Sequence, residues 1–195
     1  MRTQVQRTVS RCFAALRQLR QIRRSVSATT LQTLVVTLVL TRLDYGNSVL
    51  VGLPTYLMRR LQSVQHAAAR LIFNLKRSDH ITDALISLHW LRIPERIRYK
   101  VAVLTYKVLH GSAPQYLGQL VRVADLPGRH ALRSASTNRL VVPSVKLSTV
   151  GSRAFPVAGP QVWNGLPEEV TSAQSLSIFR QRLKTFLFQF SFPTS

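Results

Sequence analysis

The pattern that most constrains this chain is an apolar stripe at helical spacing. Leu57, Leu61, Val64, Ala68, Leu71, Ile72 and Leu75 recur at three- and four-residue steps, which puts them on one face of a 3.6-residue helix. Arg59, Arg60 and Arg70 fall off that face. Leu53-Pro54 opens the segment, and Ala67-Ala68-Ala69 allows a neighbouring helix to approach closely. The spacing predicts a core-facing helix over residues 57–76.

Similar patterns flank it. Residues 7–24 read as an amphipathic, arginine-rich helix. Ser27 is a candidate start for a helix running to about Tyr45, with Gly46 at the following C′ position. A short helix is expected at 81–88 with Asp79 as N-cap. Another starts at Pro94, carries Ile97, Val101, Leu104 and Val108, and ends at Gly111. Pro114 begins a short helical turn reaching Leu120. Beyond Val123 the text changes. The runs 140–142, 145–147 and 154–157 are broken by Pro and Gly, which predicts a small β-hairpin or an irregular β segment. Trp163 to Pro167 reads as a structured turn. Ser175 caps a last amphipathic helix carrying Leu176, Phe179, Leu183, Phe186, Leu187 and Phe190. The expected class is mainly α: a helical bundle with a small β-hairpin element and a C-terminal amphipathic helix. Its expected divisions are a basic helix at 1–27, a helical core at 28–122 and a β-containing segment plus helix at 123–195.

Charge limits the partners. Lys and Arg together number 27 against seven Asp and Glu, a formal net charge of +20. Only Lys76, Lys100, Lys107, Lys146 and Lys184 are lysines. Arginine's planar fork suits phosphate, so a nucleic-acid backbone is the natural partner. An anionic membrane or a generally basic surface are the alternatives. The charges cluster: Arg17, Arg20, Arg23 and Arg24; then Arg59, Arg60, Arg70, Lys76 and Arg77; then Arg92, Arg96, Arg98 and Lys100; then Arg129, Arg133 and Arg139. Solvated helix faces normally mix signs, and here the balancing acids are missing. No motif supports base-specific readout, so binding to the RNA and DNA backbone is expected.

Several chemistries are unsupported. The single cysteine, Cys12, rules out an intrachain disulfide and a cysteine-based zinc knuckle. Residues 31–40 are apolar, but Gln32, Thr33 and Thr37 interrupt them and Arg42 and Asp44 follow, so no membrane span is expected. His66, His80, His89, His110 and His130 show no metal-ligand spacing. Asp79-His80 with Asp83 lacks a nucleophile or oxyanion motif, so a capping Asp beside a surface His is the better reading. Trp90 and Trp163 are expected as core plugs, with base-stacking platforms as the alternative. No phosphate-binding glycine loop occurs. No catalytic residue, metal or cofactor is assigned.

The fixed words DHIT (79–82), LHWL (88–91) and LHGSAP (109–114) are followed by Leu132-Arg133-Ser134, Val141-Val142-Pro143 and Gly151-Ser152-Arg153-Ala154-Phe155. Trp163-Asn164-Gly165-Leu166-Pro167 and Leu183-Lys184-Thr185-Phe186-Leu187-Phe188 complete the order. From about Cys12 to Phe188 this text resembles the region after the reverse transcriptase in LINE-type non-LTR retrotransposons of the jockey-like group. Relatives of that group commonly carry Cys where this chain has Gly46. The resemblance implies a thumb-end and post-polymerase region that lies beside the polymerase domain and helps hold template RNA and target DNA. It implies a truncated remnant, or a short reading frame derived from one. Reverse transcription needs clustered carboxylates holding two metals. This chain has no Asp-Asp pair, its only adjacent acids being Glu168-Glu169, so polymerase activity by these residues is excluded on chemical grounds. A nuclear or cytoplasmic location is expected. Residues 1–27, with seven Arg and no acid, also imitate a mitochondrial transit peptide, which leaves an organellar RNA-associated protein as the alternative. A domesticated protein-interaction module is the third reading.

Overall fold

The computed structural model describes residues 1–118, 120–126, 138–147 and 151–193. The protein is mainly helical, with no strand among the described residues. The chain divides into two compact units, one of Met1–Asn47, Leu53–Arg96 and Phe188–Ser195, the other of Ser48–Gly52 and Ile97–Leu187. This differs from the expected three-part division. The basic N-terminal helix belongs to the first unit, and the boundary at 96/97 falls inside a helix rather than near Val123.

In the first unit, α1 (Arg2–Ile22) buries Val5, Val9, Cys12, Leu16 and Leu19, spaced by fours and threes, and packs on α4 (Thr55–Phe73). The α4 stripe is buried as its spacing predicts at Leu57, Leu61, Val64 and Ala68, while Leu71, Ile72 and Leu75 are half-buried. Helix α4 ends earlier than expected. Asn74 adopts φ 56° and ψ 35°, a left-handed geometry that asparagine tolerates better than most residues.

Ser27 caps α2 (Ala28–Val35), its Oγ accepting the Thr30 N–H at 3.1 Å. The expected single helix to Tyr45 is interrupted by a π turn at Val36–Leu40 before α3 (Thr41–Asp44). A threonine ladder accompanies the break: Thr33 Oγ1 donates to Thr29 O (3.0 Å), Thr37 Oγ1 to Thr33 O (2.9 Å), and Thr41 Oγ1 to Thr37 O. Such back-bonding competes for helix carbonyls and distorts the turn. Gly46 follows with φ 64°.

Asp79 does not cap α5 (Thr82–Ser87). The cap position is Ile81, without a side-chain bond, and Asp79 Oδ2 instead accepts the Lys76 N–H at 2.7 Å, closing the preceding turn. A glutamine relay fixes the LHWL segment. Fully buried Gln65 donates to Leu91 O (2.8 Å) and accepts from Gln62 Nε2 (2.7 Å), while Gln62 Oε1 accepts the Ile93 N–H (2.9 Å). These bonds satisfy backbone groups that would otherwise be buried unpaired.

Helix α6 (Ile93–Leu109) gives residues 93–96 to the first unit and the rest to the second. In the second unit Ile97, Val101, Ala102, Thr105 and Tyr106 are buried, whereas Leu104 and Val108 are only half-buried, so the inward face is turned from the expected stripe. Gly111 follows with φ 63°. The expected helical turn after Pro114 is a 3-10 turn at Gln115–Leu117. Helices α7 (Phe155–Asn164), α8 (Glu168–Thr171) and α9 (Leu176–Ser191) complete this part of the chain, with Ser175 Oγ accepting the Ile178 N–H at 3.3 Å. Phe179, Leu183 and Leu187 are fully buried, and Phe179 stacks on Tyr106 (4.5 Å) and Trp163 (5.7 Å).

The β-hairpin expectation needs correction among the described residues. Only one antiparallel bridge occurs, between Arg122 and Leu140, and 145–147 has no partner strand. The main chain of Leu140 is held by a side chain instead. Leu140 N donates to Asn164 Oδ1 and Asn164 Nδ2 donates to Leu140 O, both at 2.8 Å, so the carboxamide stands in for a peptide unit. Trp163 Nε1 donates to Asn138 O at 2.7 Å. The 154–157 run opens α7, because Pro156 suits a helix first turn and Gly159 lets α7 approach Thr105: a Cβ there would lie 3.0 Å from Thr105 Oγ1. Trp163 and Asn164 are therefore the end of a helix, not the start of a turn.

Candidate nucleic-acid interface

Burial of the α1 stripe turns Arg17, Arg20 and Arg24 to solvent. At the far end of α4, the left-handed Asn74 swings the chain so that Lys76 and Arg77 come beside them. The C-terminal halves of α1 and α4 thus flank a groove of about 790 Å³. Its floor is apolar, formed by Phe13, Leu16, Ala67, Leu71 and Leu75. Its cations are Arg17, Arg20, Arg23, Arg24, Arg70, Lys76 and Arg77, and no acid is among its described lining residues, although the Asp79 carboxylate lies beside it on the Lys76 N–H.

Two of those cations hold the groove together. Arg23 Nε donates to Leu71 O at 3.0 Å and its Nη1 to Asn74 Oδ1 at 2.6 Å. Arg70 donates to the carbonyls of Lys76 (3.3 Å) and Arg77 (3.4 Å). Both side chains are half-buried. The other five, Arg17, Arg20, Arg24, Lys76 and Arg77, are exposed. Two helix C-termini face this region, each worth roughly half a negative charge. Seven full positive charges outweigh these and the Asp79 carboxylate beside Lys76, so the net charge at the groove is positive.

The remaining sequence candidates lie elsewhere. Arg59 and Arg60 are exposed on the solvent face of α4, outside the groove. Arg96 is occupied: its Nε donates to Asp44 Oδ1 at 2.8 Å and its Nη2 to Asp44 Oδ2. Arg92 lies over the Phe192 ring, 5.0 Å from its centroid. Arg98 and Lys100 are exposed in the second unit. Arg129 and Arg133 fall outside the described residues. Neither the apolar floor nor the division of labour between Arg23 and Arg24 is legible in the sequence. Asn74, a residue suited to a left-handed cap after an apolar run, was the available signal.

Among the described residues no three of His, Cys, Asp and Glu are grouped to hold a metal. His80 and Asp83 are exposed. His66 is half-buried, and burial, reinforced by Arg70 and Arg92, lowers its pKa. Cys12 is buried with Sγ 3.8 Å from Val39 O, and burial pushes its thiol pKa up against the opposing pull of Arg42. Trp90 and Trp163 are buried, so neither offers a face to a base. His89 takes φ 53° and its ring stacks on Phe188 at 6.0 Å. No described helix is long and apolar enough to cross a membrane. Comparison with protein-family models, with curated proteins and with solved structures finds no match.

Proposed function

We propose that this chain is a non-catalytic nucleic-acid-binding region, of the kind found after the polymerase in LINE-type retrotransposon proteins, and that it grips RNA or DNA through the phosphate backbone. The observation that carries this reading is the groove between α1 and α4, with five exposed cations and no acid among its described lining residues. The ordered words from DHIT to the final phenylalanine-rich helix support the family origin. A removable leader fits less well, because α1 supplies Val5, Val9, Cys12, Leu16 and Leu19 to the core. Nuclear or cytoplasmic residence and an adjacent polymerase domain as partner belong to the same proposal.

Salt titration of binding to single-stranded RNA tests it. Five phosphate contacts on a single strand give a log–log slope near −3.5, or about a hundredfold loss of affinity between roughly 50 and 200 mM salt. An affinity flat over that range refutes the electrostatic grip. Primer extension with Mg²⁺ or Mn²⁺ should stay at background, and extension lost on mutating Asp79 and Asp83 would overturn the non-catalytic assignment.

A further inference from the structure

We propose that the groove between α1 and α4 selects unpaired nucleotides, seating bases on its apolar floor while the rim arginines hold the phosphates on either side. The inference rests on the nucleic-acid reading above and adds which form of nucleic acid fits.

Three observations carry it. First, the cations surround a concavity rather than crown a ridge, and the concavity has the size of a recessed ligand site, about 790 Å³. A duplex presents its phosphates on a convex surface with its bases stacked inside, so it would touch the rim alone. Second, the floor is Phe13, Leu16, Leu71 and Leu75, with Phe13, Leu71 and Leu75 each half-buried. Apolar surface left open beneath a ring of charge is covered well by the face of an unpaired base and poorly by a bare phosphate. Base–aromatic stacking is also tolerant of sequence, in keeping with the absence of any base-reading motif. Third, the cations that shape the groove are spent on main-chain and amide oxygens, Arg23 on Leu71 and Asn74 and Arg70 on Lys76 and Arg77. The floor is thereby held open between fixed walls, while Arg17, Arg20, Arg24, Lys76 and Arg77 remain at the rim. An anionic membrane shares the charge chemistry, but its headgroups contribute no flat apolar group to cover the apolar floor.

The experiment uses the full chain and three probes of equal phosphate number: an oligouridylate, its abasic counterpart and an RNA duplex. The oligouridylate should bind about tenfold or more tightly than either of the others, with the abasic strand showing a similar salt slope. Phe13→Leu should cost about five- to tenfold on the oligouridylate and nothing on the abasic strand, with its melting temperature recorded alongside. The wild-type comparison decides the matter even if that variant fails to fold. Equal affinity for the base-bearing and abasic strands overturns this inference while leaving the backbone-binding reading standing. Loss of salt-dependent binding to all three probes overturns the backbone-binding reading itself. Tighter binding to phosphatidylserine vesicles than to oligouridylate would overturn both.

Discussion

Arg23 and Arg24 are adjacent, identical in type and opposite in assigned role, which makes them a sharp test of the groove. Arg23→Gln removes the donor to Leu71 O (3.0 Å, partly buried) and the donor to Asn74 Oδ1 (2.6 Å, exposed). A charged hydrogen bond contributes about 1.5–3 kcal/mol when buried, and a cation at a helix C-terminus about 0.3–1 kcal/mol. Solvent reaches both bonds and replaces part of each, so the net loss is about 1–2 kcal/mol. For a chain of this size that lowers Tm by about 2–8 °C. Arg24→Gln removes no described bond, so its Tm should match wild type within the scatter of surface substitutions, about 0.5 kcal/mol. Binding should show the reverse. Arg24→Gln should reduce the magnitude of the single-strand salt slope by about 0.7, and Arg23→Gln should change it less. Circular-dichroism melts and salt-dependent binding isotherms on both variants supply the readouts. Equal melting temperatures, together with equal losses of slope, would show that Arg23 does not tie α1 to the end of α4.

Leu61 is 2% exposed on the inward face of α4, so Leu61→Asp should cost about 4 kcal/mol or more, whereas Arg59→Gln on the outward face should melt with wild type; similar melts for the two would mean the face is misassigned. The folded pKa of His66 lies below the ordinary 6.5, so between the folded and unfolded values the unfolded chain binds the extra proton and stability rises with pH. That contribution is present above 6.5 and is lost as pH falls through the folded value. Denaturant melts should therefore weaken on acidification across that window, and His66→Gln should flatten the loss; an unchanged pH profile refutes it.

Periodic burial was the most legible property of the chain. The α4 stripe from Leu57 to Ala68 emerges from spacing because that face is packed into the core, and Ser27 and Ser175 cap the helices that the sequence places after them. What stayed hidden depends on contacts distant in the chain. The 154–157 run is too short for period to distinguish strand from helix, and a contact with Thr105 accompanies the helical outcome. Gln62 and Gln65 look like ordinary polar interruptions of α4, yet they bond backbone 31 and 26 residues away, respectively. The same holds for the groove. Nothing local separates Arg23 from Arg24; the distinction comes from partners 48 and 51 residues on.

Scarcity of acid also shapes the electrostatics. With seven carboxylate residues in the chain, several arginines find their intramolecular partners among neutral oxygens: Arg23 at Leu71 and Asn74, Arg70 at Lys76 and Arg77, and Arg182 at Glu169 O (2.7 Å). A carbonyl satisfies a guanidinium's hydrogen bonds without cancelling its charge. Arg96, bound to Asp44, contributes little field beyond its own pair, whereas Arg23 and Arg70 stiffen the groove and still act on any anion within about a Debye length, near 8 Å at physiological salt. Spending structural arginines on carbonyls thus keeps the groove ordered and electropositive at once. An aspartate at the Asn74 position would supply a stronger partner for Arg23, and for that reason would weaken the attraction for phosphate that the unpaired charge maintains.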